Sequence, residues 1–105
     1  MLSMATANFH FEYEVYESHE ALTEQDMSLL LAARSVTQKA YAPYSDFLVG
    51  AVALLANGEQ VAGTNQENAS FPVGICAERT LLASAAMLHT NVPVHTMAIA
   101  YHNLQ

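Results

Sequence analysis

A cysteine and a glutamate lie two residues apart where a helix is expected to begin. Cys76 opens a run, 76–89, in which leucines and alanines recur at helical spacing, and Glu78 lies in its first turn. The positive end of the helix dipole and the nearby cation of Arg79 favour a thiolate over a thiol. Such a thiolate suits a metal ligand or a nucleophile, and a glutamate beside a bound metal can shuttle protons. The alternative is a packed core cysteine and an ordinary acidic residue at a helix N-terminus.

Polar residues that could bind a sugar precede this helix. Asn65, Glu67 and Asn68 fall within four residues after a predicted strand, and their donors and acceptors are spaced to hold vicinal hydroxyls. Phe47 begins an earlier strand and could place its ring against a heterocycle. Turn chemistry explains the polar group equally well, and Phe47 could be a core residue.

The elements that must position these residues follow from periodicity. Alternating apolar and polar residues at 9–16 predict an N-terminal strand, and an apolar stripe after the capping residue Thr23 predicts a helix over 24–40. The run 47–55 predicts a buried strand, the turn residues Asn57 and Gly58 predict a hairpin to 59–64, and a last strand is expected at 96–101. This order predicts an α/β layered architecture within a single domain, 1–105.

Composition excludes several classes of protein. The 105 residues carry a net charge of −7 with only three cations, so nucleic acid and anionic membranes are poor partners. The N-terminal residues resemble no export signal, and we expect a soluble protein. The single cysteine excludes an intramolecular disulfide and favours a reducing cytoplasm. The 52% hydrophobic content of so short a chain favours a homo-oligomer.

Three motifs, APYSDFLVGA at 42–51, NQENASFP at 65–72 and GICAERT at 74–80, resemble the cytidine deaminase family in order and spacing. The resemblance runs from about residue 24 to the last strand, and the predicted N-terminal strand is similar to one in some bacterial members. It implies an α/β/α sandwich around a mixed sheet and hydrolytic deamination of cytidine or deoxycytidine, as in pyrimidine salvage. The product would be uridine or deoxyuridine, and the family's assembly implies a tetramer or dimer.

The resemblance also implies a role for individual residues. Cys76 would be a ligand of Zn²⁺, and Glu78 would be the catalytic general acid and base of a zinc-activated water. The substrate-binding set comprises the ribose-binding Asn65 and Glu67, the Ala77 N–H at the pyrimidine carbonyl, Phe47 in the base pocket, and Phe71, which would reach a neighbouring subunit's site.

The family's second zinc motif, Pro-Cys-x-x-Cys, has no counterpart among the 105 residues. Catalytic zinc needs three protein ligands, and of the three C-terminal histidines the helix length excludes His89. We expect the last strand to run parallel to the first and to present its far end to the site, which leaves His102 rather than His95 as the nearest substitute. We therefore expect a C-terminally truncated deaminase whose metal site is incomplete and whose last strand has a free edge for association. Two alternatives remain, a non-catalytic protein that binds nucleosides or itself, and a deaminase of a related aminopyrimidine compound.

Overall fold

The computed structural model describes residues 3–105, which form two helices and three strands. The elements are α1 (Glu24–Val36), β1 (Phe47–Leu55), β2 (Gln60–Thr64), α2 (Ala77–Leu88) and β3 (Val94–Asn103), with short 3-10 turns at His19–Ala21, Thr37–Lys39 and Phe71–Val73. The Thr23 hydroxyl accepts a hydrogen bond of 3.2 Å from the Asp26 N–H, which confirms the predicted start of α1. None of the helices in the described part of the chain has the length and hydrophobicity that a membrane-spanning segment requires.

The sheet has the order β2-β1-β3, and β1 pairs antiparallel with both neighbours. The predicted mixed sheet is therefore wrong for the described residues, as is the expectation that the last strand runs parallel to the first. The reason is topological: α2 returns the chain to the end of the sheet at which β2 began, so β3 runs parallel to β2. Because β2 is antiparallel to the central strand, β3 is antiparallel to it as well.

The two helices cover opposite faces of this sheet, which confirms the predicted α/β/α sandwich. One face of β1 packs against α2 through a cluster of Ala51, Ala53, Leu55, Val61, Ala77, Leu81 and Ala85. The other face packs against α1 through Leu29, Ala33, Val52 and Ala100. This division follows from the strand period of two, since residues 51, 53 and 55 point away from residue 52.

Two glycines allow the helices to lie close against the strands. A Cβ at Gly50 would lie 2.3 Å from the carbonyl oxygen of Ala33 in α1. A Cβ at Gly63 would lie 2.5 Å from the backbone nitrogen of Leu81 in α2. These distances are too short for any side chain, so each face of the sheet needs glycine where its helix crosses it.

The N-terminal segment is not a strand, and this part of the prediction is wrong. Residues 9–16 have no regular secondary structure and are exposed throughout. Their alternating apolar side chains remain in solvent, with Phe9 at 90% and Val15 at 80% of full exposure. Alternation is a necessary property of a half-buried strand, but a strand also requires a neighbour whose N–H and C=O groups are free to pair.

Candidate active site

A cleft of about 780 Å³ lies beside the N-terminal end of α2. Its walls come from two segments that are distant in sequence, residues 44–45 and most of residues 65–76, and Arg79 adds a cation. Of the predicted site residues, the structure brings Asn65, Glu67, Phe71 and Cys76 together here. Phe47, Ala77 and Glu78 are not among the residues that line it.

The segment after β2 ties these walls together through its backbone. Gln66 and Ile75 exchange two hydrogen bonds of 2.9 and 3.0 Å. On the other side, the Tyr41 N–H donates to the Asn65 carbonyl at 3.1 Å and the Glu67 N–H donates to the Tyr41 carbonyl at 2.7 Å. The loop before β1 and the loop before α2 are therefore both fixed to residues 65–67.

Asn65 extends the pairing of β1 beyond the end of β2. Its Oδ1 accepts from the Val49 N–H at 2.9 Å, and its Nδ2 donates to the Phe47 carbonyl at 2.9 Å. The side chain thus pairs with the central strand as a backbone amide would. One N–H and one lone pair of the amide remain for a ligand.

Glu67 binds the loop that leads into β1. Oε1 accepts from the N–H groups of Tyr44 and Ser45 at 2.9 and 3.2 Å, and Oε2 accepts from the Ser45 hydroxyl at 2.6 Å. The Ser45 hydroxyl, with the two N–H groups, holds the pKa of the Glu67 carboxyl below its usual value against an opposing effect of desolvation. The carboxylate is therefore charged near neutral pH and fixed in orientation.

The predicted metal and proton-transfer residues lie at the start of α2. Cys76 is the N-cap residue and its thiol is exposed, so the alternative of a packed core cysteine is wrong. Ala77 is fully buried, and as the first helical residue it has an N–H without an acceptor within the helix. Glu78 is half-buried in the same first turn. The Cys76 thiol and the Glu78 carboxylate thus lie at the same end of α2, but of these two side chains the thiol alone borders the cleft.

The two aromatic residues occupy different positions. The Phe47 ring stacks on Tyr101 of β3, with ring centroids 5.0 Å apart and an interplanar angle of 13°. Phe71 lies at the cleft and is 91% exposed. A phenyl ring in that position is available to a neighbouring molecule rather than to its own core.

The donor set of the described residues does not fit a catalytic zinc ion. Within 3–105, no three His, Cys, Asp or Glu side chains are close enough together to hold one metal. His102 pairs with Leu48 in the register of β1 and β3, which places it on the α1 face of the sheet, opposite the face that α2 covers. It therefore cannot join Cys76, and the described residues supply one of the three protein ligands that catalytic zinc requires.

Sequence reasoning missed two residues that shape the cleft. Ser45 binds the Glu67 carboxylate, and Gln66 carries the backbone bridge to Ile75. Ser45 and Glu67 are 22 positions apart, so no local spacing rule could pair them. Gln66 makes this bridge through its main chain, which leaves no signal in the side-chain pattern.

These features define a class of protein, a helix–sheet–helix sandwich with an exposed thiol at a helix start that borders a polar cleft. The family described as "cytidine and deoxycytidylate deaminase zinc-binding region" matches residues 23–103. The chain belongs to this family, as its three sequence motifs predicted. The matched region includes every residue of the cleft.

Individual relatives of known sequence also match this chain. The chain is 46% identical over 57 residues to a cytidine deaminase of Halalkalibacterium halodurans, which covers 54% of this chain and 43% of that protein. It is 47% identical over 49 residues to a cytidine deaminase of Mycoplasma genitalium, covering 47% of this chain and 37% of that protein. The matches thus span about four tenths of these relatives.

The fold is similar to that of a solved structure. The crystal structure of cytidine deaminase from Burkholderia pseudomallei superposes with a TM-score of 0.66 at 39% sequence identity. The superposition covers 74% of this chain and 61% of that one. Even in structure, therefore, the chain spans less than two thirds of this relative.

Proposed function

We propose that the protein takes part in the hydrolytic deamination of cytidine or deoxycytidine to the corresponding uridine. The single observation that carries this proposal is the meeting of Asn65, Glu67, Phe71 and Cys76 at one cleft in a chain of the deaminase family. These side chains have separate uses in such a reaction. The amide and the carboxylate can bind hydroxyls, the phenyl ring can pack on an apolar surface, and the thiol can bind a metal.

Substrate binding would use the hydrogen-bonding capacity that remains in the cleft. A carboxylate has about four acceptor positions, and the loop occupies three of those of Glu67, which leaves one on Oε2 for a ribose hydroxyl. Asn65 retains one N–H for a second hydroxyl. The Ala77 N–H at the helix start would donate to the pyrimidine carbonyl, and Phe47 would contact the base.

The chemistry consists of adding water at C4 of the cytosine ring and expelling ammonia. In this reaction a proton must leave the attacking water and reach the departing amine. We assign that transfer to Glu78, because it is the carboxylate in the first turn of α2, next to the thiol that borders the cleft.

Cys76 is proposed as one zinc ligand. The family match to a zinc-binding region and the exposed thiol at the helix start support this role. The remaining ligands would have to come from residues other than those described. Since one thiolate is one of the three ligands that catalytic zinc requires, we expect little zinc to co-purify with the 105 residues, and Cys76→Ser should remove any that is bound.

A second function, nucleoside binding without catalysis, is favoured by one observation. The described residues supply a single metal ligand, whereas both polar side chains proposed to bind a sugar, Asn65 and Glu67, lie at the cleft. In this case the cleft would hold a pyrimidine nucleoside and release it unchanged.

The two functions are separated by incubating the protein with cytidine and zinc and following the loss of cytidine and the release of ammonia. Deamination predicts uridine formation that Glu78→Gln lowers by about 100-fold or more, the usual contribution of general acid–base catalysis. Glu59→Gln, a change in the hairpin between β1 and β2, is the matched control and should be fully active. Binding without turnover in the unaltered protein would favour the second function, and an undiminished Glu78→Gln would contradict the role of Glu78.

The assembly of the protein, its location in the cell and its metabolic role are also part of this proposal. The exposed Phe71 supports a homo-oligomer, a tetramer or dimer, in which this ring enters a neighbouring subunit's site. The single cysteine supports the cytoplasm, and a place in pyrimidine salvage would follow from a free nucleoside substrate. Light scattering of the full chain and of Phe71→Ala tests the assembly, because loss of the ring should favour smaller species.

A further inference from the structure

The Ser45 side chain makes two hydrogen bonds in the loop before β1. Its hydroxyl donates to Oε2 of Glu67 at 2.6 Å and accepts from the Phe47 N–H at 3.1 Å. One hydroxyl group therefore connects the carboxylate on one wall of the cleft to the first residue of the central strand. The short donor–acceptor distance is typical of a hydroxyl bound to a charged carboxylate.

The backbone between these partners is unusual. Asp46 has φ at +57°, in the left-handed region that residues with a Cβ seldom adopt. Its N–H donates to the Ala42 carbonyl at 3.0 Å, and its carbonyl accepts from the Leu104 N–H at 2.9 Å. The bond from the Phe47 N–H to the Ser45 hydroxyl closes this turn and keeps Ser45 facing Glu67.

We propose that Ser45 is a positioning residue for nucleoside recognition, because it orients the Glu67 carboxylate so that its last acceptor position faces the cleft. This inference rests on the proposed function. Oε1 is held by two backbone N–H groups, but Oε2 has Ser45 as its one partner among the described residues. Without the hydroxyl the carboxylate could rotate about its terminal bond, and the acceptor would lose its fixed direction.

The position of the Phe47 ring depends much less on Ser45 than the orientation of the Glu67 carboxylate does. Its ring stacks on Tyr101, and its backbone pairs with Asn103 of β3. Loss of the hydroxyl should therefore weaken the recognition of sugar hydroxyls more than the recognition of the base. The expected signature is a loss of selectivity for the sugar rather than a general loss of affinity.

The test compares three variants of the full chain. Ser45→Ala removes the hydroxyl, Ser45→Thr keeps it, and Ser35→Ala is the matched control on α1, away from the cleft. Two quantities are measured: the affinities for cytidine and for 2′,3′-dideoxycytidine, and the pKa of the Glu67 carboxyl by NMR titration. The second measurement needs no ligand and no activity.

Ser45→Ala should weaken cytidine binding about 10-fold, the effect of about one hydrogen bond to a charged group, and leave dideoxycytidine binding unchanged within about 2-fold. It should also return the pKa of Glu67 toward its usual value, and Ser45→Thr should restore both properties. Unchanged cytidine affinity in Ser45→Ala, or an unchanged Glu67 titration, would overturn the proposal. If the unaltered protein binds no cytidine but the titration responds as expected, the orienting role of Ser45 stands and the proposed function fails.

Discussion

Gln66 and Ile75 form an antiparallel bridge of two backbone hydrogen bonds, 2.9 and 3.0 Å long, immediately before the exposed thiol of Cys76. This bridge lies outside the three-stranded sheet, yet it fixes the start of α2 to the end of β2. The geometry of the cleft therefore depends on a loop-to-loop contact as well as on the packing of the helices.

Hydrogen exchange tests this bridge. The amide hydrogens of Gln66 and Ile75 bind each other's carbonyls, so one opening event exposes both, and we expect them to exchange at similar, slow rates. Amides of the exposed residues 68–69 serve as the internal reference. Exchange of Gln66 and Ile75 at the rate of these exposed amides would show that the bridge is not stable in solution.

Gly63→Ala should destabilise the fold more than a change at an exposed glycine. The new methyl group would lie 2.5 Å from the Leu81 nitrogen and 2.7 Å from the Ala77 carbonyl oxygen, both of which are backbone atoms of α2. We expect a loss of about 3 kcal/mol in the free energy of unfolding, at the upper end for overpacked cores.

The control for this change is Gly58→Ala in the hairpin turn. Gly58 has φ at +87° and open space around it, so alanine there should cost only about 1 kcal/mol through the left-handed backbone. Urea unfolding of both variants measures the difference. An equal or smaller loss for Gly63→Ala would mean that α2 does not cross β2 at this distance.

Acid should weaken the loop before β1 through Glu67. Since the pKa of this carboxyl is lowered by the Ser45 hydroxyl and the backbone N–H groups, its contribution to stability is complete above the unfolded-state pKa. That contribution is lost as the pH falls through the lower, folded-state pKa. Glu67→Gln should make unfolding less dependent on pH in this acidic range, whereas Glu59→Gln should not. A pH profile that is the same for Glu67→Gln and the unaltered protein would exclude this coupling.

The N-terminal segment should contribute little to the fold. Its apolar side chains at 9–16 are exposed, so removal of residues 1–16 should change the free energy of unfolding by less than about 0.5 kcal/mol. Chemical denaturation of the shortened and complete chains provides the comparison. A loss of several kcal/mol would indicate that the segment packs or pairs as a strand after all.

The fold was predictable from sequence where a local signal was sufficient. The apolar run and the Asn57-Gly58 turn gave β1 the bounds Phe47–Leu55 that the structure has, and Thr23 marked the start of α1. The predicted direction of the last strand was wrong because the direction depends on which strand the crossover helix follows. The predicted strand at 9–16 was wrong because pairing requires a partner strand, which a periodic pattern does not reveal.

The candidate site was predictable to the extent that its residues belong to family motifs. Asn65, Glu67, Phe71 and Cys76 meet at the cleft, whereas Phe47 does not line it and its ring stacks on Tyr101. The contact between Ser45 and Glu67 could not be foreseen, because it joins two loops that only the folded sheet brings together. The roles of these residues in binding and catalysis remain predictions.

Titration of cytidine into the isotope-labelled protein, followed by NMR of the backbone amides, measures whether this cleft binds a pyrimidine nucleoside. We expect saturable shifts concentrated at residues 44–45, 65–69 and 74–79, with the α1 face of the sheet unaffected. Shifts confined to other surfaces, or none at millimolar cytidine, would contradict this expectation.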